Sequence, residues 1–157
     1  SNRHMIALAK HQTFGNQKLI ATGRNDYGTL GVSSTDTNTY LYAVDVNPHG
    51  LTGKMDLITQ IAAVDYGTAV LTSDNELYAW GYCGYRLCGN YSDSDSRAVD
   101  PSGNSQYWPQ RIWVEGALKD VVITKLRSYY RGFMAISNDN KLFGWGRNEY
   151  RALGTTA

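Results

Sequence analysis

Few residues in this sequence combine a reactive type with a spacing that chemistry requires. His11 and His49 are isolated, with no acidic or cysteine neighbour at metal-ligand spacing, and lone histidines serve packing or surface more often than catalysis. His4 lies in the opening Ser1-Asn2-Arg3-His4-Met5, which reads as a tag remnant and is set aside from the fold argument. Cys83 and Cys88 supply two of the four ligands a structural zinc wants, and two cysteines are few for a disulfide framework. They are expected as free thiols, in a reducing, cytoplasmic setting. The run Asn90-Tyr91-Ser92-Asp93-Ser94-Asp95-Ser96-Arg97 alternates acids and serines, yet Arg97 stands where a calcium loop needs another oxygen, and the glycine and distal Glu are missing. It reads as a solvated insertion, and Asn90-Tyr91-Ser92 also fits the glycosylation sequon. Gly28-Thr29-Leu30-Gly31 lacks the Lys-Ser/Thr of a phosphate loop. No catalytic residue, metal or cofactor is expected, and the chain reads as no enzyme.

The residue types that remain are those of binding hot spots. Tyr27, Tyr82, Tyr85 and Tyr150 lie close in sequence to Arg24, Arg86, Arg147 and Arg151. Tyr and Arg join a large contact area to a hydrogen-bonding end, so these eight are candidates for contact with a protein partner. Trp108, in Tyr107-Trp108-Pro109-Gln110-Arg111-Ile112-Trp113, is a ninth; an exposed tryptophan there would suit a protein or a sugar. Tyr129-Tyr130-Arg131 is a further aromatic-basic cluster.

The elements that must position these residues follow from an internal repeat. Segments 18–31, 76–89 and 141–154 superimpose so that Gly23, Gly81 and Gly146 coincide, as do Tyr27, Tyr85 and Tyr150, and then Gly31, Gly89 and Gly154. The shared glycines are 58 and 65 residues apart. A short strand precedes each: Leu19 to Thr22, Leu77 to Trp80, Leu142 to Trp145. Ahead of it stands a polar hairpin tip, Asn16-Gln17, Asp74-Asn75 or Asp139-Asn140. Preceding strands are predicted over Ile6 to Ala9, Ala69 to Thr72 and Phe133 to Ser137, and upstream ones over Ile58 to Val64 and Val121 to Leu126. Tyr40 to Val46 and Arg111 to Val114 read as outer strands. Four-stranded units at such a period indicate a β-propeller blade, with Trp80 and Trp145 between blades. Tyr27, Tyr85 and Tyr150, repeated in every unit, either pack between neighbouring corners or face a partner. Tyr82 and Arg151 are not repeated, which favours a partner contact for them.

The pattern of apolar pair, Trp-Gly, Asn, Tyr-Gly and Leu-Gly resembles the regulator of chromosome condensation repeat. Trp145-Gly146-Arg147-Asn148-Glu149-Tyr150 with Leu153-Gly154 carries it best. In the second unit Cys83 replaces the usual Asn and Cys88 the usual Leu, and in the first Thr22 replaces Trp. The resemblance implies an all-β propeller, commonly seven-bladed, of four-stranded antiparallel blades. Tyr129-Tyr130-Arg131 falls where that family places small residues and a His near the central shaft.

The expectation is an all-β partial propeller over 6–157: about two full blades, 40–81 and 111–146, plus a leading strand pair. Charge narrows the partner. Fifteen Lys+Arg against 14 Asp+Glu leave +1 on 157 residues, which disfavours nucleic acid and a polybasic membrane contact. The functional expectation is a non-catalytic protein-interaction module. A self-assembling structural component, as of a virion or large complex whose copies complete a ring, is the alternative, and carbohydrate binding a weaker one; the open blade faces are expected to meet the remainder of a longer propeller or a further copy of the chain.

Overall fold

In the computed structural model, residues 3–10, 15–32, 38–46, 49–89, 105–112 and 117–154 are described, positions 49, 86, 105–108 and 110 by backbone alone. His11, the 90–97 loop and Trp113 lie outside these, as do the side chains of His49, Arg86 and Trp108. Among the described residues, ten strands form three antiparallel sheets. The first comprises β1 (His4–Lys10), β2 (Gln17–Arg24) and β3 (Thr39–Asp45) in the order β1-β2-β3. The second orders β4 (Ile58–Val64), β5 (Gly67–Thr72), β6 (Leu77–Tyr82) and β7 (Ser105–Ile112) as β4-β5-β6-β7. The third comprises β8 (Ile123–Tyr129), β9 (Gly132–Ser137) and β10 (Leu142–Gly146).

These strands divide among blades differently from the 40–81 and 111–146 expected. Strand β3 pairs with β2 (Ala21 opposite Val44), and β7 pairs with β6 (Ala79 opposite Gln110), so an outer strand closes a blade rather than opening the next. The chain turns at the corner after the repeated glycine and comes back beside the strand it has just left. Register shifts at Ala21/Gly23 and Ala79/Gly81 mark that glycine as a bulge. The last outer strand spans Ser105–Ile112 rather than Arg111 to Val114, and buried Pro109 sits opposite the bulge, where an edge strand tolerates a residue without an N–H.

Blades bury their faces on one another. Between the first and second lie Leu19, Leu30, Val46, Val70 and Trp80; between the second and third lie Leu77, Leu87, Leu126, Phe133 and Trp145. Both tryptophans are therefore inter-blade, as expected. Each indole donates to the corner of the preceding blade: Trp80 Nε1 to the Thr29 carbonyl at 3.0 Å, Trp145 Nε1 to that of Leu87 at 3.3 Å. Hairpin tips add polar staples. Asn75 donates to the Val121 carbonyl and accepts from the Ile123 N–H, both at 2.7 Å.

His4, set aside with the leading residues, is inside the fold. It opens β1 opposite Gly23 and is 3% exposed. The Thr68 hydroxyl donates to the Thr29 carbonyl at 3.2 Å, which leaves it to accept from His4 Nε2 at 2.9 Å. Burial above all, and then the amino-terminal charge, push the His4 pKa down to about 4, against an opposing pull from Asp65. The folded imidazole is thus neutral where an unfolded one, titrating near 6.5, takes up a proton. Stability should be full above pH 6.5, fall as pH drops towards 4, and level off below, by up to about 3 kcal/mol. Urea midpoints across that range should show the slope, and His4→Gln should flatten it.

The cysteines are not free. Cys83 and Cys88 form a disulfide with Cα atoms 4.8 Å apart. The sister corners explain why. Asn25 Oδ1 accepts from the Leu30 N–H at 3.2 Å, and Asn148 Oδ1 from the Leu153 N–H at 3.0 Å. Cys83 and Cys88 stand at those same two positions, so a covalent bridge replaces the hydrogen bond that closes the corner. Closing so short a loop stabilises by about 2 kcal/mol in the chain-entropy account. Cys83→Ala/Cys88→Ala should therefore lower the melting temperature, whereas Cys83→Asn/Cys88→Leu should recover most of the loss; thiol titration of the native chain should find none.

Candidate partner-binding face

The repeated corners all emerge on one face because the same bond anchors each. The residue after the shared glycine donates its N–H to the carbonyl just ahead of the strand that pairs with the glycine strand: Arg24 to the Arg3 carbonyl (2.9 Å), Tyr82 to Tyr66 (2.7 Å), Arg147 to Arg131 (3.1 Å). Single-turn 3-10 segments follow at Asp26–Gly28, Gly84–Arg86 and Glu149–Arg151. In each, the repeated tyrosine has a left-handed backbone, with φ of 60° at Tyr27, 57° at Tyr85 and 55° at Tyr150. A residue with a Cβ adopts that conformation at a cost, and here it aims the ring towards the next blade.

Tyr27 reaches across to the second blade, its centroid 4.9 Å from Tyr82 and 5.5 Å from Tyr66. Tyr85 lies 6.0 Å from Tyr82, and the Arg147 guanidinium of the third blade sits 4.9 Å from its ring centre. Tyr66 is in turn covered by Arg3, 4.5 Å from its ring centre, with Arg131 at 5.7 Å. These groups surround a cavity of ≈ 160 Å³, lined by Tyr27, Tyr66, Tyr82, Tyr85, Arg131 and Arg147, with Val64 and Leu87 at its base.

Charge around the cavity is mostly paired. Arg24 and Arg3 share Asp26 at 3.0 and 3.3 Å, and Arg147 holds Glu149 at 2.7 Å. Arg131 is paired more loosely: Asp65 Oδ2 lies 3.9 Å from its buried Nε, which has no hydrogen-bond partner among the described residues. A buried N–H left so is costly. Tyr129, whose hydroxyl donates to the Arg147 carbonyl at 2.9 Å, has its pKa raised by burial, which keeps that donor protonated.

The structure thus brings together Tyr27, Tyr82, Tyr85 and Arg147 of the candidates read from sequence. Arg24 is held by Asp26 at the first corner, and Tyr150 and Arg151 are exposed on the third, away from the cavity. Tyr66 and Arg3 were missed by sequence, and Arg131 was noted there only as part of the Tyr129-Tyr130-Arg131 cluster. All three stand at the position whose carbonyl receives the corner N–H, one residue before the inner strand that pairs with the glycine strand. Tyr66 and Arg131 each lie 15 residues before the shared glycine, but Arg3 lies 20 before Gly23, because the first hairpin is longer.

The family model described as Regulator of chromosome condensation (RCC1) repeat matches residues 58–85, the stretch from β4 through the second corner. Residues 58–85 are thus a regulator of chromosome condensation repeat. The repeat assignment agrees with its relatives. Serine/threonine-protein kinase Nek9 of Mus musculus is 28% identical over 137 residues, covering 87% of this chain and 12% of its own length. The human RCC1-like G exchanging factor-like protein is 25% identical over 139 residues, 87% of this chain and 26% of its own. The chain spans about an eighth and a quarter of these two relatives. Among solved structures, yeast Prp20p superimposes with a TM-score of 0.72 at 20% identity, over 99% of this chain and 34% of that one. That likeness establishes the fold, a partial RCC1-type propeller. The Prp20p structure was described with that protein's binding to Gsp1p and histones.

Proposed function

We propose that this chain is a non-catalytic protein-interaction module whose partner docks on the corner face, over the basin of Tyr27, Tyr66, Tyr82 and Tyr85. The observation that carries this reading is the convergence of four tyrosine rings from two blades on one ≈ 160 Å³ cavity that Arg131 also lines. Rings held by one another lose little freedom on binding, and the guanidinium offers a directed donor to a partner's carbonyl or carboxylate. Prp20p, a propeller of the same repeat type described as binding Gsp1p and histones, supports a protein as the ligand class.

The test is an affinity comparison on whichever protein the chain captures. Tyr82→Ala and Arg131→Ala should each weaken that complex about 30-fold or more, the loss expected for hot-spot residues. On the opposite face, Lys54 pairs with Asp74 and with Glu76, the latter at 2.8 Å, while Arg111 meets Glu76 at 3.2 Å. Lys54→Ala and Arg111→Ala should leave affinity within about twofold. The reverse ranking would move the binding site to the hairpin-tip face.

A further inference from the structure

The three corners are built alike but closed differently. Asn25 Oδ1 and Asn148 Oδ1 close the first and third by accepting the N–H five residues on, from Leu30 at 3.2 Å and Leu153 at 3.0 Å. The second is closed by a covalent bond, between Cys83 and Cys88. Once that bond is reduced its closure is lost, because a thiol sulfur is a weak acceptor where the sister amide oxygen is a strong one. The closure of this corner therefore depends on the redox state of two sulfurs, and that of its sisters does not.

The residues inside the bridge belong to the corner face. Tyr85 stands between the two cysteines, lines the cavity and lies under the Arg147 guanidinium of the third blade, 4.9 Å from its ring centre. Its left-handed backbone, with φ of 57°, is a costly conformation that the closed corner holds. Leu87 forms part of the cavity base, and its carbonyl accepts the Trp145 indole at 3.3 Å. Tyr82 packs so tightly on Gly84 that a Cβ there would fall on the phenol ring. The bridge thus tethers two cavity residues and steadies a third.

The bond is placed to open without unfolding the chain. Cys83 is partly exposed and Cys88 is buried, so an attacking thiolate reaches the Cys83 sulfur. Neither cysteine belongs to the two apolar clusters that hold the blades together.

On the reading that a partner docks over this basin, we propose that the Cys83–Cys88 bridge is a redox switch for the corner face. Closed, it holds Tyr85 and Leu87 in the docking basin; opened by a dithiol reductant, it releases them and weakens partner binding. A thiolate of the reductant attacks Cys83 Sγ, and Cys88 leaves as a thiolate that takes up a proton. The second reductant thiol then attacks the reductant's own sulfur in the mixed disulfide, releasing Cys83 as a thiol. The protein gains two electrons and two protons, and the dithiol becomes a disulfide.

Dithiothreitol serves as the dithiol, and hydrogen exchange reads the corner without any partner. The Leu87 N–H donates to the Gly84 carbonyl at 3.3 Å, as Thr29 does to Asp26 at 3.3 Å and Ala152 to Glu149 at 3.2 Å. With both thiols reduced, the Leu87 amide should exchange at least about tenfold faster, while the Thr29 and Ala152 amides hold their rates. Cys83→Asn/Cys88→Leu restores the sister chemistry and should abolish the response. Affinity for the protein that the chain captures should fall at least about tenfold in dithiothreitol, and in that variant should not change. A bond that dithiothreitol leaves intact in the folded chain would overturn the proposal. So would an unchanged Leu87 rate, or equal acceleration at all three corners, which would make the bridge a general staple. Should Tyr82→Ala weaken the complex while reduction does not, the switch fails and the docking face stands. Should neither weaken it, the docking reading fails and the switch with it.

Discussion

Trp80→Ala should lower the unfolding free energy by about 4 kcal/mol, the cost of removing a buried indole and leaving a cavity. Trp80 is 1% exposed and fills the interface between the first two blades with Leu19, Leu30 and Val70. It also donates to the Thr29 carbonyl, an acceptor that keeps only the longer bond from Thr68 once the indole is gone. Trp80→Phe keeps most of the ring and loses the N–H, so it should cost less, roughly 1–2 kcal/mol. Equilibrium urea unfolding measures both. A Trp80→Ala loss below about 1 kcal/mol would mean that the blades are held by something other than this plug.

Gly81→Ala is the second large effect, on the order of 4 kcal/mol, and it reaches the candidate site. Gly81 has φ of 102°, and a Cβ there would lie 2.3 Å from the Tyr66 carbonyl oxygen and 2.8 Å from the Gly67 Cα. Neither atom belongs to a flexible side chain, so the backbone of two strands must move on top of the conformational strain. The Tyr82 N–H bond to that same carbonyl is the one that sets the corner, so Tyr66 and Tyr82 should shift with it. Gly53 provides the comparison: its φ is 72°, but a Cβ there meets nothing within 4 Å, so Gly53→Ala should cost only about 1 kcal/mol. Thermal unfolding ranks the two. Equal losses would show that strain alone, and not the close approach of strands, makes the repeated glycine necessary.

Much of the architecture was readable because each unit repeats its glycine and tyrosine in register. Strand Ile58–Val64 falls where its β-branched pattern puts it, and the inter-blade place of Trp80 and Trp145 follows from size and position alone. What escaped has specific causes. Outer strands were joined to the wrong blade because the repeat unit does not reveal on which side of its corner a blade closes. The disulfide escaped because cysteine counting ignores where the two residues stand; the hydrogen bond made by Asn25 and Asn148 is visible only in three dimensions. Tyr66 escaped because its sisters are arginines, Arg3 and Arg131, so no residue type repeats there. The cavity needs rings from blades 58 residues apart in sequence, and only packing brings Tyr27 and Tyr82 into contact, their planes inclined by 56°.

Hydroxyl-radical footprinting of the tyrosines, with and without bound partner, tests the corner-face reading most directly. Tyr27 and Tyr85 are partly exposed on the proposed docking face, whereas Tyr42 on β3 is 84% exposed and remote from the cavity. Partner binding is expected to protect Tyr27, Tyr82 and Tyr85 and to leave Tyr42 unchanged. Protection of Tyr42 with the three corner rings still reactive would contradict the account.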